Sequence, residues 1–176
     1  MKIYIARHGE TVWNREFRVC GRTDLELTER GREQAHLLAE EVSVQKINLI
    51  ISSPLKRALQ TSRIVSEKTG IAVTVDERLI EQDYGSFEGV SGKDVGFLEN
   101  KRKFACRYPG GESMMMVAAR VYPLLDEIKE KYKDKNVLLI CHGGVCRVIN
   151  TYFQDVTNEE FFHWNMDNAK LKEYEV

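Results

Sequence analysis

Four apolar runs of this chain end on residues that can do chemistry. "KIYIA" (2–6) stops at Arg7, His8 and Gly9, and "INLIIS" (47–52) leads into "SPLKR" with Arg57. "IAVTV" (71–75) precedes "DERLIEQDYG", which contains Glu81, and "NVLLIC" (136–141) stops at His142, Gly143 and Gly144. Arginine forks bind phosphate oxygens bidentately. Two histidines and a carboxylate can supply a nucleophile and a general acid or base. The glycines would let backbone come close to a ligand. Taken singly, each residue has an ordinary reading as a structural histidine, a solvated helix arginine or a surface carboxylate. Together they suit a phosphate site whose positive charge comes from the arginines and a protonated His142.

That convergence requires the four runs to be neighbouring strands. They are short, rich in β-branched residues and nearly continuous, as strands buried on both faces of a parallel sheet are. "AKLKEYEV" (169–176) alternates and reads as an edge strand. Helices fall between: 28–42 with Thr28 as N-cap; 53–70 with Ser53 as N-cap, Pro54 at the first helical position and Gly70 as stop. The segment 111–132 is amphipathic, and Pro123 should kink or split it. Residues 144–153 follow the last strong strand, and 157–164 opens on a capping-box pattern, Thr157 with Glu160. Strands alternating with helices predict a three-layer α/β/α sandwich around a mostly parallel sheet. Ligands of such sheets bind beyond the carboxyl ends of the strands, where the chemistry-bearing residues stand. The glycine-rich, charged stretch 85–111 reads as a lid-like excursion within one domain spanning 1–176.

Composition narrows the function classes. The 176 residues are 43 % apolar and 30 % charged, with a net charge of -1. A global field for nucleic acid or an anionic membrane is therefore not expected. No apolar run reaches the length of a membrane span, and "MKIYIA" runs straight into Arg7 and His8 without a signal-peptide pattern. Cys20, Cys106, Cys141 and Cys146 form no C-x-x-C pair and read as reduced thiols of a cytoplasmic protein. Cys141, His142 and Cys146 make a poor zinc set for want of a fourth ligand. Neither a Walker-A loop nor G-x-G-x-x-G occurs. No metal and no cofactor are expected, and the chain is expected as a monomer or homodimer.

On these residues the sequence resembles the histidine phosphatase superfamily, in the branch of cofactor-dependent phosphoglycerate mutase and related phosphatases. The resemblance rests on "RHGET" (7–11) with Asn14, "CGRTDLELTERGREQA" (20–35), "SPLKRALQTS" (53–62), "RLIEQDYGSFEG" (78–89), "PGGES" (109–113) and "CHGG" (141–144), in order along nearly the whole chain. It implies a phosphoglycerate mutase-like fold and a phosphohistidine intermediate on His8. Arg7, Arg57 and His142 would cradle the phosphate. Glu81 would protonate the leaving oxygen and then activate water, which asks for a raised pKa. Asn14 and the Gly143 amide would add phosphate contacts, and Cys20 and Gly21 would form a substrate-contacting turn, with cysteine at a position that is commonly hydrophobic or hydroxylated.

The mutases of this branch carry a longer segment after the carboxylate motif, with paired basic residues and a proline run. Here Gly111 follows Glu81 by 30 positions, no proline run follows, and "KRK" (101–103) alone echoes the basic pair. A short excursion closes a site less well around a bisphosphate, so hydrolysis of a small phosphorylated metabolite is expected over mutase activity. A non-catalytic phosphate-binding module is the remaining alternative.

Overall fold

Five strands form one sheet in the order β3-β2-β4-β1-β5. They are β1 (Lys2–Arg7), β2 (Leu49–Ser52), β3 (Val73–Val75), β4 (Val137–Cys141) and β5 (Leu171–Glu175) in the computed structural model, which describes residues 1–176. All neighbours are parallel except β5, which pairs antiparallel with β1 at the edge. The helices are α1 (Val12–Arg15), α2 (Glu29–Ser43), α3 (Lys56–Thr69), α4 (Val95–Lys101), α5 (Met114–Lys131), α6 (Gly143–Phe153) and α7 (Asn158–His163).

The period of two divides the strands between two cores. Ile3 and Ile5 of β1 and Val137, Leu139 and Cys141 of β4 join one cluster with Val117, Leu124, Leu125 and Ile128 of α5 and Val145 and Ile149 of α6. Tyr4, Ala6, Leu138 and Ile140 face the other way, onto Leu38, Ala39 and Val42 of α2 and Ala58 and Val65 of α3. This is the expected three-layer sandwich. Each fully buried Leu, Ile or Val contributes about 1.5–3 kcal/mol. That scale fixes the register, because a one-residue slip would turn every such side chain to the opposite face.

Three local expectations change. Ser53 is not a helix cap: α3 starts at Lys56 after Leu55, and the Lys56 N–H is taken by Asp24 Oδ1 at 2.8 Å from a distant loop. Of the two effects expected of Pro123, the split does not occur: α5 runs unbroken over Met114–Lys131. Pro123 lies on the exposed side, as does Ala119, so the carbonyl that it leaves unpaired can meet water. The excursion at 85–111 contains a helix of its own, α4, capped by the Asp94 side chain on the Phe97 N–H. Gly70 does stop α3, in the left-handed region at φ 72°. The Thr157–Glu160 capping box forms as read.

Candidate active site

Strand register sets the site. Arg7 of β1 stands opposite Cys141 of β4, so His8 and His142 leave the sheet side by side. The His8 N–H donates to the Cys141 carbonyl at 3.0 Å, and the Ser53 N–H at the tip of β2 donates to the Ile140 carbonyl at 3.0 Å. The two imidazoles lie 5.1 Å apart, centre to centre.

Hydrogen bonding fixes both tautomers. His8 Nδ1 lies 2.7 Å from the Gly9 carbonyl, which can only accept, so Nδ1 carries the proton and Nε2 keeps its lone pair. Arg57 Nε, which can only donate, stands 3.1 Å from that Nε2 and 3.2 Å from His142 Nδ1. His142 Nε2 therefore bears the other ring's proton and donates to Ser53 Oγ at 2.6 Å. Burial first, then the Arg57 guanidinium, pushes each imidazole well below its ordinary value, with Arg7 acting in the same direction on both. His8 is thus neutral, with its Nε2 lone pair unprotonated. His142 is neutral too, against the expectation that it would be protonated, because its Nδ1 is an acceptor and Arg57 is beside it.

Main-chain oxygens clamp the guanidinium of Arg57. Its Nη1 donates to the Thr23 carbonyl at 2.9 Å and its Nη2 to the Gly21 carbonyl at 2.6 Å. The 21–23 turn is held in place by Glu88, whose carboxylate accepts from the Arg22 and Thr23 N–H groups and from Thr23 Oγ1 at 2.6 Å. Arg7 Nη1 donates to the Met166 carbonyl at 2.8 Å, while its buried Nε has no partner. Glu81 is 4 % exposed. Its two oxygens accept from the Gln82 and Gly144 N–H groups at 2.8 and 3.0 Å.

These groups surround a cavity of about 410 Å³ lined by Arg7, His8, Asn14, Cys20, Glu81 and Gly143 among others. Arg57, His142 and Gly21 do not line it: they form the layer behind. Asn14 shares its Oδ1 with the Thr11 N–H at 3.0 Å and with Asn168 Nδ2, which also donates to the His8 carbonyl. Cys20 presents a half-buried thiol whose pKa burial pushes up to about 11. The three glycines differ. A Cβ on Gly9 would lie 2.2 Å from the Gly31 carbonyl oxygen, so Gly9 serves backbone packing. One on Gly144 would lie 2.6 Å from Glu81 Oε1, so Gly144 admits the carboxylate. Only Gly143 leaves room, with Arg7 Nε its nearest neighbour at 3.7 Å. Cys141 and Cys146 bring their sulfurs to 3.4 Å inside the core, away from the groups His142 faces.

Other residues line the cavity that the strand-end argument does not reach. They include Arg18, Tyr84, Lys93, Phe97, Lys101, Tyr108 and Arg147. Two of them left a trace in the sequence: Lys101 opens the basic run "KRK" (101–103), and Arg147 is a charge inside the apolar stripe "VCRVIN".

The family model for the histidine phosphatase superfamily (branch 1) matches residues 3–176. Phosphoserine phosphatase 1 of Hydrogenobacter thermophilus is 32 % identical over 176 residues, covering 96 % of this chain and 83 % of that protein. A probable phosphoglycerate mutase GpmB of Yersinia pestis is 37 % identical over 153 residues, 81 % of this chain and 70 % of that one. Among solved structures, a mycobacterial glucosyl-3-phosphoglycerate phosphatase superposes with a TM-score of 0.86 at 30 % identity, covering 98 % of this chain and 88 % of that chain.

Proposed function

The chain belongs to the histidine phosphatase superfamily, and from that premise we propose that it hydrolyses small phosphomonoesters through a phosphohistidine on His8, without a metal ion. The observation that carries this reading is the neutral His8, held by the Gly9 carbonyl with its Nε2 lone pair free of a proton, beside a cavity into which Arg7 brings an unpartnered Nε–H. Relatives named for phosphoserine and for glucosyl-3-phosphoglycerate are consistent with a small phosphorylated substrate.

Catalysis is proposed in two steps. A phosphate entering the cavity takes the Arg7 Nε–H and the Gly143 N–H, one of the helix-start donors without an intrahelical partner. Arg57 Nε–H, which covers the His8 lone pair in the free protein, turns to a phosphate oxygen and uncovers Nε2. Nε2 attacks phosphorus, the P–O bond to the alcohol breaks, and Glu81 gives its proton to the leaving oxygen. Glu81, now a carboxylate, takes a proton from water, whose oxygen attacks phosphorus; the N–P bond breaks, and His8 and inorganic phosphate are restored. Charge develops on oxygens in a loose transition state, so fixed donors carry much of the acceleration.

Steady-state hydrolysis of p-nitrophenyl phosphate in EDTA tests this. Turnover is expected to persist in the chelator and to fall about 10⁴-fold or more in His8→Ala. Chelator-abolished turnover would remove the metal-free claim, and near-normal turnover in His8→Ala would remove the nucleophile. Interconversion of phosphoglycerates with little phosphate released would make the protein a mutase instead.

A further inference from the structure

Arg57 is 0 % exposed, yet no carboxylate pairs with it. A buried charge left without a counter-charge is costly to a fold. Its Nε–H faces two neutral imidazoles, and its Nη1 and Nη2 donate to main-chain carbonyls. Glu88, half-buried near the start of the excursion, has no arginine or lysine partner either. Its oxygens accept from the Arg22 N–H at 3.1 Å, the Thr23 N–H at 3.3 Å and the Thr23 hydroxyl at 2.6 Å. The Arg22 side chain turns away, to Glu112 at 3.1 Å.

These two unpaired charges meet through one peptide group. The Gly21 carbonyl and the Arg22 N–H belong to a single trans peptide unit, so they point to opposite sides of it. The oxygen accepts from Arg57 Nη2 at 2.6 Å, and the N–H donates to Glu88 Oε1 at 3.1 Å. A carboxylate on the N–H pushes electron density toward the carbonyl oxygen. A guanidinium on that oxygen pulls it the same way, so the two hydrogen bonds strengthen each other. Thr23 adds a second link, giving its carbonyl to Arg57 Nη1 and its N–H and hydroxyl to Glu88. A carboxylate in direct contact would sit on the guanidinium donors and blunt the charge offered to a phosphate. One peptide unit away, it holds the fork and leaves Nε–H uncovered.

Resting on the phosphatase reading, we propose that Glu88 is a positioning residue for phosphoryl transfer, the relayed counter-charge of Arg57. It fixes the Gly21 and Thr23 carbonyls, and these hold Nη1 and Nη2. The remaining donor, Nε–H, is then aimed first at the His8 lone pair and afterwards at a phosphate oxygen. Glu88 thus acts on the step in which charge builds on phosphate oxygens, and so on kcat more than on KM.

The test is a double-mutant cycle on hydrolysis of p-nitrophenyl phosphate, with kcat referred to folded protein measured by urea unfolding. Glu88→Gln keeps the size of the side chain, removes its charge and sets an amide N–H against the N–H groups of the turn. It should lower kcat about 10²-fold and leave KM within about threefold. Arg57→Met should lower kcat about 10³-fold. Adding Glu88→Gln to it should change kcat by no more than about threefold, because the residue through which Glu88 acts is gone. Should Arg57→Met fail to fold, Arg57→Lys, which keeps the charge and loses the fork, takes its place in the cycle. Thr23→Val removes one hydroxyl and is the milder change for the fold. It should cost about fivefold alone and nothing further beside the Arg57 variant, and it decides the matter if Glu88→Gln does not fold. Losses that multiply across the cycle, a Glu88→Gln kcat within about threefold of the unmodified protein, or a loss confined to KM each overturn the positioning role alone. Absence of hydrolysis of every phosphomonoester by the unmodified protein overturns the phosphatase reading with it.

Discussion

His8 and His142 hang from the tips of two paired strands, and the atoms that fix them are mostly backbone: the Gly9 carbonyl, the Cys141 carbonyl, and the Gly21 and Thr23 carbonyls through Arg57. Across the cavity, Tyr84, Phe97 and Tyr108 hang from the excursion between β3 and α5. They are held by ring contacts, with Tyr84–Phe97, Tyr84–Tyr108 and Phe97–Tyr108 centroids 5.6, 5.1 and 5.8 Å apart. The cluster they form, with Val19, is separate from the two cores of the sandwich. The floor is thus tied to sheet register, which the whole fold enforces, while the roof depends on a small aromatic group of its own. The lesson is a division of labour: the phosphoryl chemistry proposed for this chain sits on the part held by sheet register, and the alcohol half of the substrate would meet the part held by the aromatic cluster. Glu88 joins the two, since it belongs to the excursion and holds the turn that clamps Arg57.

The largest effect that would probe this division comes from Gly144→Ala. The new methyl would press on Glu81 Oε1 at 2.6 Å, and displacing the proposed general acid should lower kcat about 10²-fold. The loss should be greater for alkyl phosphates, whose leaving group needs the proton, than for aryl phosphates; an equal loss on both would mean that Glu81 is not the proton donor. Next in size is the acid sensitivity of the floor. The unfolded chain takes up a proton at His8 and His142 below about pH 6.5, whereas the folded imidazoles, pushed well below that, do not. Their stabilising contribution is complete above about pH 6.5 and is lost as pH falls from there. The slope reaches about 1.4 kcal/mol per pH unit for each histidine. Urea midpoints at pH 7.5, 6.5 and 5.5 read this, and a flat profile would contradict the neutral pair. The smallest effect belongs to the roof. Phe97→Ala should cost about 1–2 kcal/mol, speed amide exchange across α4, and act on KM more than on kcat. A kcat loss as deep as that of Gly144→Ala would dissolve the distinction between floor and roof.

The sequence made the floor legible for the same reason that it is rigid. Runs such as "VLLIC" are apolar throughout because both faces are buried, and Arg7, His8 and His142 are conspicuous because they end those runs. Thr28 and Gly70 marked helix ends through local chemistry. What stayed hidden depends on partners distant in the chain. Ser53 looks like a cap, but Asp24 takes the helix N–H and Ser53 serves His142. The charge state of His142 follows from an Arg57 proton that no local pattern announces. Tyr108 and Lys101 reach the cavity through the packing of the excursion; the "KRK" run marked Lys101 as basic, while nothing beside Tyr108 in sequence marked it.

The central claim is a covalent bond between phosphorus and His8. The most direct measurement is rapid quenching of the protein with a ³²P-labelled phosphomonoester into base, followed by peptide mapping. The account predicts an acid-labile, base-stable label on the peptide bearing His8, formed and discharged at rates no slower than kcat and absent from His8→Ala. Turnover with no phosphoenzyme under these conditions, or a label on another residue, would contradict it.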